Sequence, residues 1–175
     1  MDAAYLVAQN IAALGELIIA QHVADTTGEH VLVLSRKHDR DTIQLHATYF
    51  TRDQTRWRQE WIIRDGVDCP GLDADASFFP AAGSFTDLNH DGRMEVTVSY
   101  RTFCGGGVDP YTVKVILRDG STKLAIRGES LVRIPGQPPF GGTHQYDKAL
   151  LSPAYAAYKQ HLDQIWKVVS ADNRK

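Results

Sequence analysis

Apolar and polar positions alternate along much of the chain. Thr42 to Tyr49 is the clearest case: Ile43, Leu45, Ala47 and Tyr49 alternate with Thr42, Gln44, His46 and Thr48, the period-two pattern of a half-buried strand. Upstream, Leu17-Ile18-Ile19 and Val31 to Leu34 flank the turn Asp25-Thr26-Thr27-Gly28 and predict a hairpin. A polar turn at Lys37 to Asp41 leads into the Thr42 strand, and Trp57 to Arg64 is its expected partner, with Trp57, Trp61 and Ile63 on one side. A break rich in Gly, Pro and Asp covers Asp65 to Ala82. Three further strands are predicted at Glu95 to Tyr100, Thr112 to Leu117 and Leu124 to Arg127, the last two joined by Arg118-Asp119-Gly120-Ser121, a strong hairpin signal.

The period changes near the end. Tyr155, Tyr158, Leu162, Ile165, Trp166 and Val169 recur at steps of three and four, with Lys159, Gln160, Asp163, Gln164 and Lys167 on the other face. Ser152 and Pro153 supply an expected N-cap and a proline at the first helical position. Residues 1–15 read as either a short helix or a frayed arm. The expectation is one mainly β (α+β) domain over residues 1–175, with an N-terminal arm (1–15), a β-rich core of antiparallel hairpins (16–135) and a C-terminal amphipathic helix (152–170). No internal repeat of about 20 to 50 residues stands out.

Composition narrows the function classes. Hydrophobic residues make up 43% and charged residues 23% of the 175 positions, which is globular and not disordered composition. A formal net charge of −2 argues against binding driven by a phosphate backbone. Arg52, Arg56, Arg58 and Arg64 interleave with Trp57 and Trp61, and are read as the outward face of a strand with the tryptophans inward. No apolar run approaches a membrane span. Met1-Asp2 has no basic n-region, and Gly15 to Ala20 is too short for a signal h-region, so an exported protein would have to carry this chain as its mature form.

One motif carries chemistry. Asp87-Leu88-Asn89-His90-Asp91-Gly92-Arg93-Met94-Glu95 has the form D-x-N-x-D-G-x-x-E. A hard cation such as Ca²⁺ takes about six to eight oxygen ligands from a loop tight enough to turn alternate side chains inward. Asp87, Asn89 and Asp91 offer oxygens at steps of two, Gly92 permits the turn, Arg93 offers its carbonyl, and Glu95 ligates directly or through water. Where an EF-hand places its bidentate glutamate, this chain has Val98, and Val96, Val98 and Tyr100 read as a strand leaving the loop. The loop therefore resembles those of FG-GAP and other propeller-type repeats. The ion-free alternative is a polar hairpin turn, in which Asp87, Asp91 and Glu95 would repel one another.

The two cysteines, Cys69 and Cys104, flank this loop. In an oxidising compartment they could close a loop of roughly 35 residues; otherwise they are two unrelated thiols. No nucleophile elbow or phosphate loop occurs, and the seven histidines are scattered without metal-ligand spacing. A glycosidase pair of Asp73 or Asp75 with Asp87 or Glu95 is the weakest option, because the sequence gives no separation between the carboxylates. Two Pro/Gly-bearing loops, Phe103 to Tyr111 and Pro135 to Tyr146, are candidate contact surfaces through Tyr111, Phe140, His144 and Tyr146.

Across Val67-Asp68-Cys69-Pro70, Phe85 to Gly92, Cys104 and Lys123 to Gly128, the chain resembles a family of bacterial envelope proteins loosely linked to surface polysaccharide. The resemblance spans most of Leu17 to Val169 and implies export to the periplasm, a Cys69–Cys104 bridge and a calcium loop. The chain is more distantly similar to periplasmic immunity lipoproteins, which have a propeller-like β fold with a calcium loop and inhibit lysozyme-like effectors. No lipoprotein signal or inhibitory-loop motif matches here. The resulting expectation is a propeller-like or sheet domain holding Ca²⁺. Its role would be to block a secreted peptidoglycan-degrading effector by protein–protein binding; the alternative is a calcium-stabilised envelope protein associated with surface polysaccharide, without catalysis.

Overall fold

Three tight turns build the first sheet. In the computed structural model, which describes residues 1–79, 81 and 83–174, β1 (Glu16–Asp25), β2 (Gly28–Asp39), β3 (Thr42–Asp53) and β4 (Arg56–Asp68) form an antiparallel meander in the order β1-β2-β3-β4. Each connection is two residues, and Gly28, Arg40 and Gln54 have positive φ, as short hairpin turns require. The second sheet runs β12-β9-β8-β7-β5, from β5 (Asp73–Phe78), β7 (Glu95–Gly105), β8 (Thr112–Asp119), β9 (Thr122–Glu129) and β12 (His144–Tyr146). The short β6 (Ser84–Thr86) also pairs with β7. A small third sheet joins β10 (Leu131–Arg133) to β11 (Phe140–Gly141) and β13 (Ala171–Asn173).

The two large sheets pack face to face. Leu32, Leu34, Leu45, Ala47 and Ile63 of the first interdigitate with Val96, Val98, Tyr100, Ile116 and Ala125 of the second. The opposite face of the second sheet, through Val113, Val115, Leu117, Leu124 and Ile126, is covered by Tyr158, Leu162, Trp166 and Val169 of α2 (Ala156–Val169). The domain is thus mainly β with a C-terminal amphipathic helix, as its periodicities predict. The strands stack as open sheets; among the described residues there is no propeller and no closed barrel.

Several expectations need correction. The predicted helix over 152–170 begins as a 3₁₀ turn, Pro153–Tyr155, and Ser152 makes no side-chain capping bond. The arm is a helix, α1 (Ala3–Ala8), capped by Asp2 Oδ1 accepting from the Tyr5 N–H at 2.8 Å. Its Leu6, with Ile11, seals Val31, Val33 and Phe50 on the outer face of the first sheet. That cover is why His46 and Thr48, on the polar side of the β3 alternation, are buried. The break at Asp65 to Ala82 contains the end of β4 and all of β5, and β11 to β13 lie beyond the expected core boundary at 135. Of that break, Pro80 and Ala82 lie outside the described residues.

Trp57 and Trp61 do not share a face. Tyr49 pairs with Trp61 but Phe50 pairs with Gln59, so Glu60 is a β-bulge that shifts the strand by one residue and reverses its faces. Trp57 therefore packs under α1, whereas Trp61 faces the second sheet.

Cys69, just past β4, is disulfide-bonded to Cys104 of β7, with Cα atoms 5.5 Å apart, so the bond ties the two sheets covalently. With the cysteines 35 positions apart, the chain-entropy cost removed from the unfolded state is about 3–4 kcal/mol. The Cys69→Ser/Cys104→Ser protein is expected to lose about that much unfolding free energy, read as a lower urea midpoint without reductant. An unchanged midpoint would show that the noncovalent packing between the sheets suffices.

Candidate functional site

The D-x-N-x-D-G motif is the turn between β6 and β7, closed by the Thr86–Glu95 pair. Three polar side chains wind around its backbone. The Asp91 N–H donates to both Asp87 Oδ1 (3.1 Å) and Asn89 Oδ1 (3.0 Å), the Gly92 N–H to Asp87 Oδ2 (3.1 Å) and the Arg93 N–H to Asp91 Oδ1 (2.8 Å). Asn89 Nδ2 donates to Asp91 Oδ2 at 3.1 Å. His90 and Gly92 both lie in the left-handed region, at φ 59° and 80°. At Gly92 the glycine is required twice over: a Cβ there would also sit 2.6 Å from the Thr26 methyl. Asp87, Asn89 and Asp91 are therefore brought together, with Asn89 and Asp91 exposed.

Glu95 is held elsewhere. It is 1% exposed, and its carboxylate accepts from the Leu88 N–H (2.8 Å), the Thr86 hydroxyl (3.3 Å) and the Tyr158 hydroxyl (3.1 Å). The Tyr158 oxygen also lies 2.9 Å from Asp119 Oδ2, and burial together with these two carboxylates pushes the phenol well above its ordinary range. Glu95 braces the start of the loop against α2. Among the described residues, no three His, Cys, Asp or Glu side chains converge in a way that could hold a metal ion. The oxygen set that does converge is two carboxylates and one amide, hard donors that suit calcium and not zinc.

The loop is docked on the other sheet by residues far from it along the chain. The Gly92 carbonyl accepts from the Thr26 N–H (3.0 Å) and hydroxyl (2.7 Å), and the Met94 N–H donates to Asp25 Oδ2 at 2.9 Å. Asp25 Oδ1 takes the Thr27 N–H (2.7 Å) and hydroxyl (2.6 Å) and lies 3.0 Å from His30 Nε2. His30 Nδ1 is 3.0 Å from the Thr51 hydroxyl, so an Nε2–H donor to Asp25 leaves Nδ1 free to accept from Thr51. The β1–β2 turn was legible as an Asx-type turn. Its role as an anchor was not, because Asp25 and Met94 are 69 residues apart.

Of the four candidate contact residues, His144 is exposed and Tyr111, Phe140 and Tyr146 are half-buried, each beside neighbours within the fold. The Tyr111 ring lies 4.2 Å from the Arg101 guanidinium and 5.2 Å from the Phe103 ring. Phe140 pairs with Val132 in the small sheet. His144 packs on Trp166 at 5.0 Å, and the Tyr146 hydroxyl donates to Asp163 of α2 at 2.9 Å. His161, the histidine nearest to hydroxyl groups on β6 and β7, has Nε2 3.1 Å from the Thr97 hydroxyl and 3.4 Å from that of Ser84. Burial lowers its pKa despite the nearby Glu95 charge.

Acid should loosen the anchor. Burial raises the Asp25 carboxyl, but the Thr27 hydroxyl and N–H, the Met94 N–H and His30 outweigh it and hold the group at about 2, against an ordinary 3.8. A depressed carboxyl contributes stability that is full above the ordinary value and lost as pH falls toward the folded one. Asp25→Asn is therefore expected to destabilise the protein at pH 7, by a margin that shrinks as pH falls from about 4 to 2; urea melts across that window check it, and a margin independent of pH would contradict it. Compared with family models, characterised proteins and solved structures, the chain finds no match.

Proposed function

We propose that the chain is a calcium-stabilised, disulfide-locked envelope protein that binds surface polysaccharide and catalyses no reaction. The observation that carries the metal reading is the winding of the Asp87, Asn89 and Asp91 side chains around the loop backbone, the first two accepting from the Asp91 N–H and the third from the Arg93 N–H, with left-handed residues at His90 and Gly92. Asp87, Asn89 and Asp91, with the Arg93 carbonyl, would hold the ion, and water would complete the shell. Glu95 is the departure from the expected ligand set, since three donors already occupy it. Bound calcium would supply charge neutralisation between Asp87 and Asp91, and through linkage would stabilise the folded chain. Because the loop carries the Asp25–Thr26 anchor, that stabilisation would reach the contact between the sheets.

The disulfide supports a location outside the reducing cytosol, and no described helix is long and apolar enough to cross a membrane. A saccharide partner is supported by the family resemblance carried by Val67 to Pro70, Phe85 to Gly92, Cys104 and Lys123 to Gly128. A second reading, inhibition of a secreted peptidoglycan-degrading effector, is favoured by Leu72 and Val108. These are 57% and 55% exposed and lie three and four residues beyond the two bonded cysteines, apolar side chains of the kind that can enter a cleft.

Melting in calcium and in excess chelator tests the metal. At about a hundredfold excess of calcium over Kd, linkage gives about 2.7 kcal/mol, a rise of roughly 5–10 °C for a chain of this size. Asp87→Asn/Asp91→Asn should abolish the rise, and identical wild-type melts would contradict the metal. Binding in calcium to acidic bacterial polysaccharides supports the saccharide partner, whereas a nanomolar complex with a lysozyme-like effector and no polysaccharide binding replaces it with the inhibitor.

A further inference from the structure

A cleft of about 370 Å³ opens between the two sheets beside the loop anchor, within the size range of small-ligand sites. Its wall is a continuous stack. His30 lies on Tyr49 with ring centroids 5.2 Å apart, Tyr49 on Trp61 at 5.1 Å, and the Arg118 guanidinium over Trp61 at 5.3 Å. The Glu60 bulge produces this arrangement by turning Trp61 toward the second sheet, where Arg118 of β8 faces it.

The charges in the cleft are unevenly committed. Asp25, which also lines the cleft, is held by Thr27 and Met94, Glu60 is paired with Arg58 at 2.7 Å, and Asp119 Oδ2 lies 2.9 Å from the Tyr158 hydroxyl. Arg93 and Arg118 both line the cleft, and among the described residues neither enters an ion pair. Arg118 Nε is buried without a hydrogen-bond partner, so the protein leaves this guanidinium uncommitted. A guanidinium presents a planar fork that matches a carboxylate. Asp25, Glu60 and Asp119 would repel a dianion such as phosphate more strongly than a single carboxylate, and Glu60 and Asp119 can accept hydrogen bonds from sugar hydroxyls, as the Tyr49 hydroxyl can donate them.

We propose that this cleft binds a uronic-acid-type sugar, its carboxylate held by Arg93 and Arg118 and its hydroxyls by Glu60, Asp119 and Tyr49. The inference deepens the polysaccharide reading and rests on it.

Titration with glucuronate, followed by NMR of the tryptophan indole N–H signals in calcium, tests it. Of the three tryptophans, Trp61 alone lines the cleft. Glucuronate should shift the Trp61 signal saturably, with Trp57 and Trp166 unmoved and glucose without effect at equal concentration. Arg93→Gln, at an exposed side chain, should weaken binding at least tenfold with the melting temperature unchanged, and Arg118→Gln should do the same. No saturable shift, or an equal response to glucose, overturns the proposal. A full response to acetate or to a short acidic peptide also overturns it and assigns the arginines to a protein carboxylate. If polysaccharide binds but Arg93→Gln leaves that binding intact, this site fails and the broader reading stands; if no polysaccharide binds, the broader reading fails whatever glucuronate does.

Discussion

A single carboxylate at the tip of one hairpin holds the end of another. Asp25 receives the Met94 N–H from the loop, and its neighbour Thr26 takes the Gly92 carbonyl twice, with its N–H and its hydroxyl. Apolar burial drives the two sheets together but is not directional. These bonds fix which hairpin of the first sheet faces which hairpin of the second. The Asp25 carboxylate is itself held in place by Thr27 and His30, and His30 begins the aromatic stack that ends at Arg118. Loop, anchor and cleft are therefore one connected polar assembly at one end of the sandwich.

The other end of the inter-sheet core is fastened differently. There, Asp65 of β4 accepts from the Tyr100 hydroxyl at 2.7 Å and from Lys114 at 2.5 Å, and the Cys69–Cys104 bond adds a covalent tie. Lys114 and Arg118 both project from β8 toward the first sheet, four residues apart. Lys114 is ion-paired with Asp65, whereas Arg118 enters no ion pair among the described residues.

Much of the scaffold was legible because it depends on local period. The alternation from Ile43 to Tyr49, the Asp119-Gly120 hairpin and the three- and four-residue stripe from Tyr155 to Val169 each encode an element within a few turns of chain. The motif at Asp87 to Gly92 was legible for the same reason, since its side chains fold back on their own backbone. What escaped the sequence depends on contacts across long separations. The Glu60 bulge, which puts Trp57 and Trp61 on opposite faces, has no local signature. Glu95 reads as a ligand by spacing, yet its burial against Tyr158 is set by α2, 63 residues further on.

Whether the loop is a true joint between the sheets can be measured directly by native-state hydrogen exchange at the Thr26 and Met94 amides. If the docking described here governs the contact, both amides are protected and exchange through one common opening, with equal free energies at every denaturant concentration. If Thr26 and Met94 exchange as fast as amides in exposed loops, or through separate openings of unequal cost, the two hairpins are not joined and the account fails.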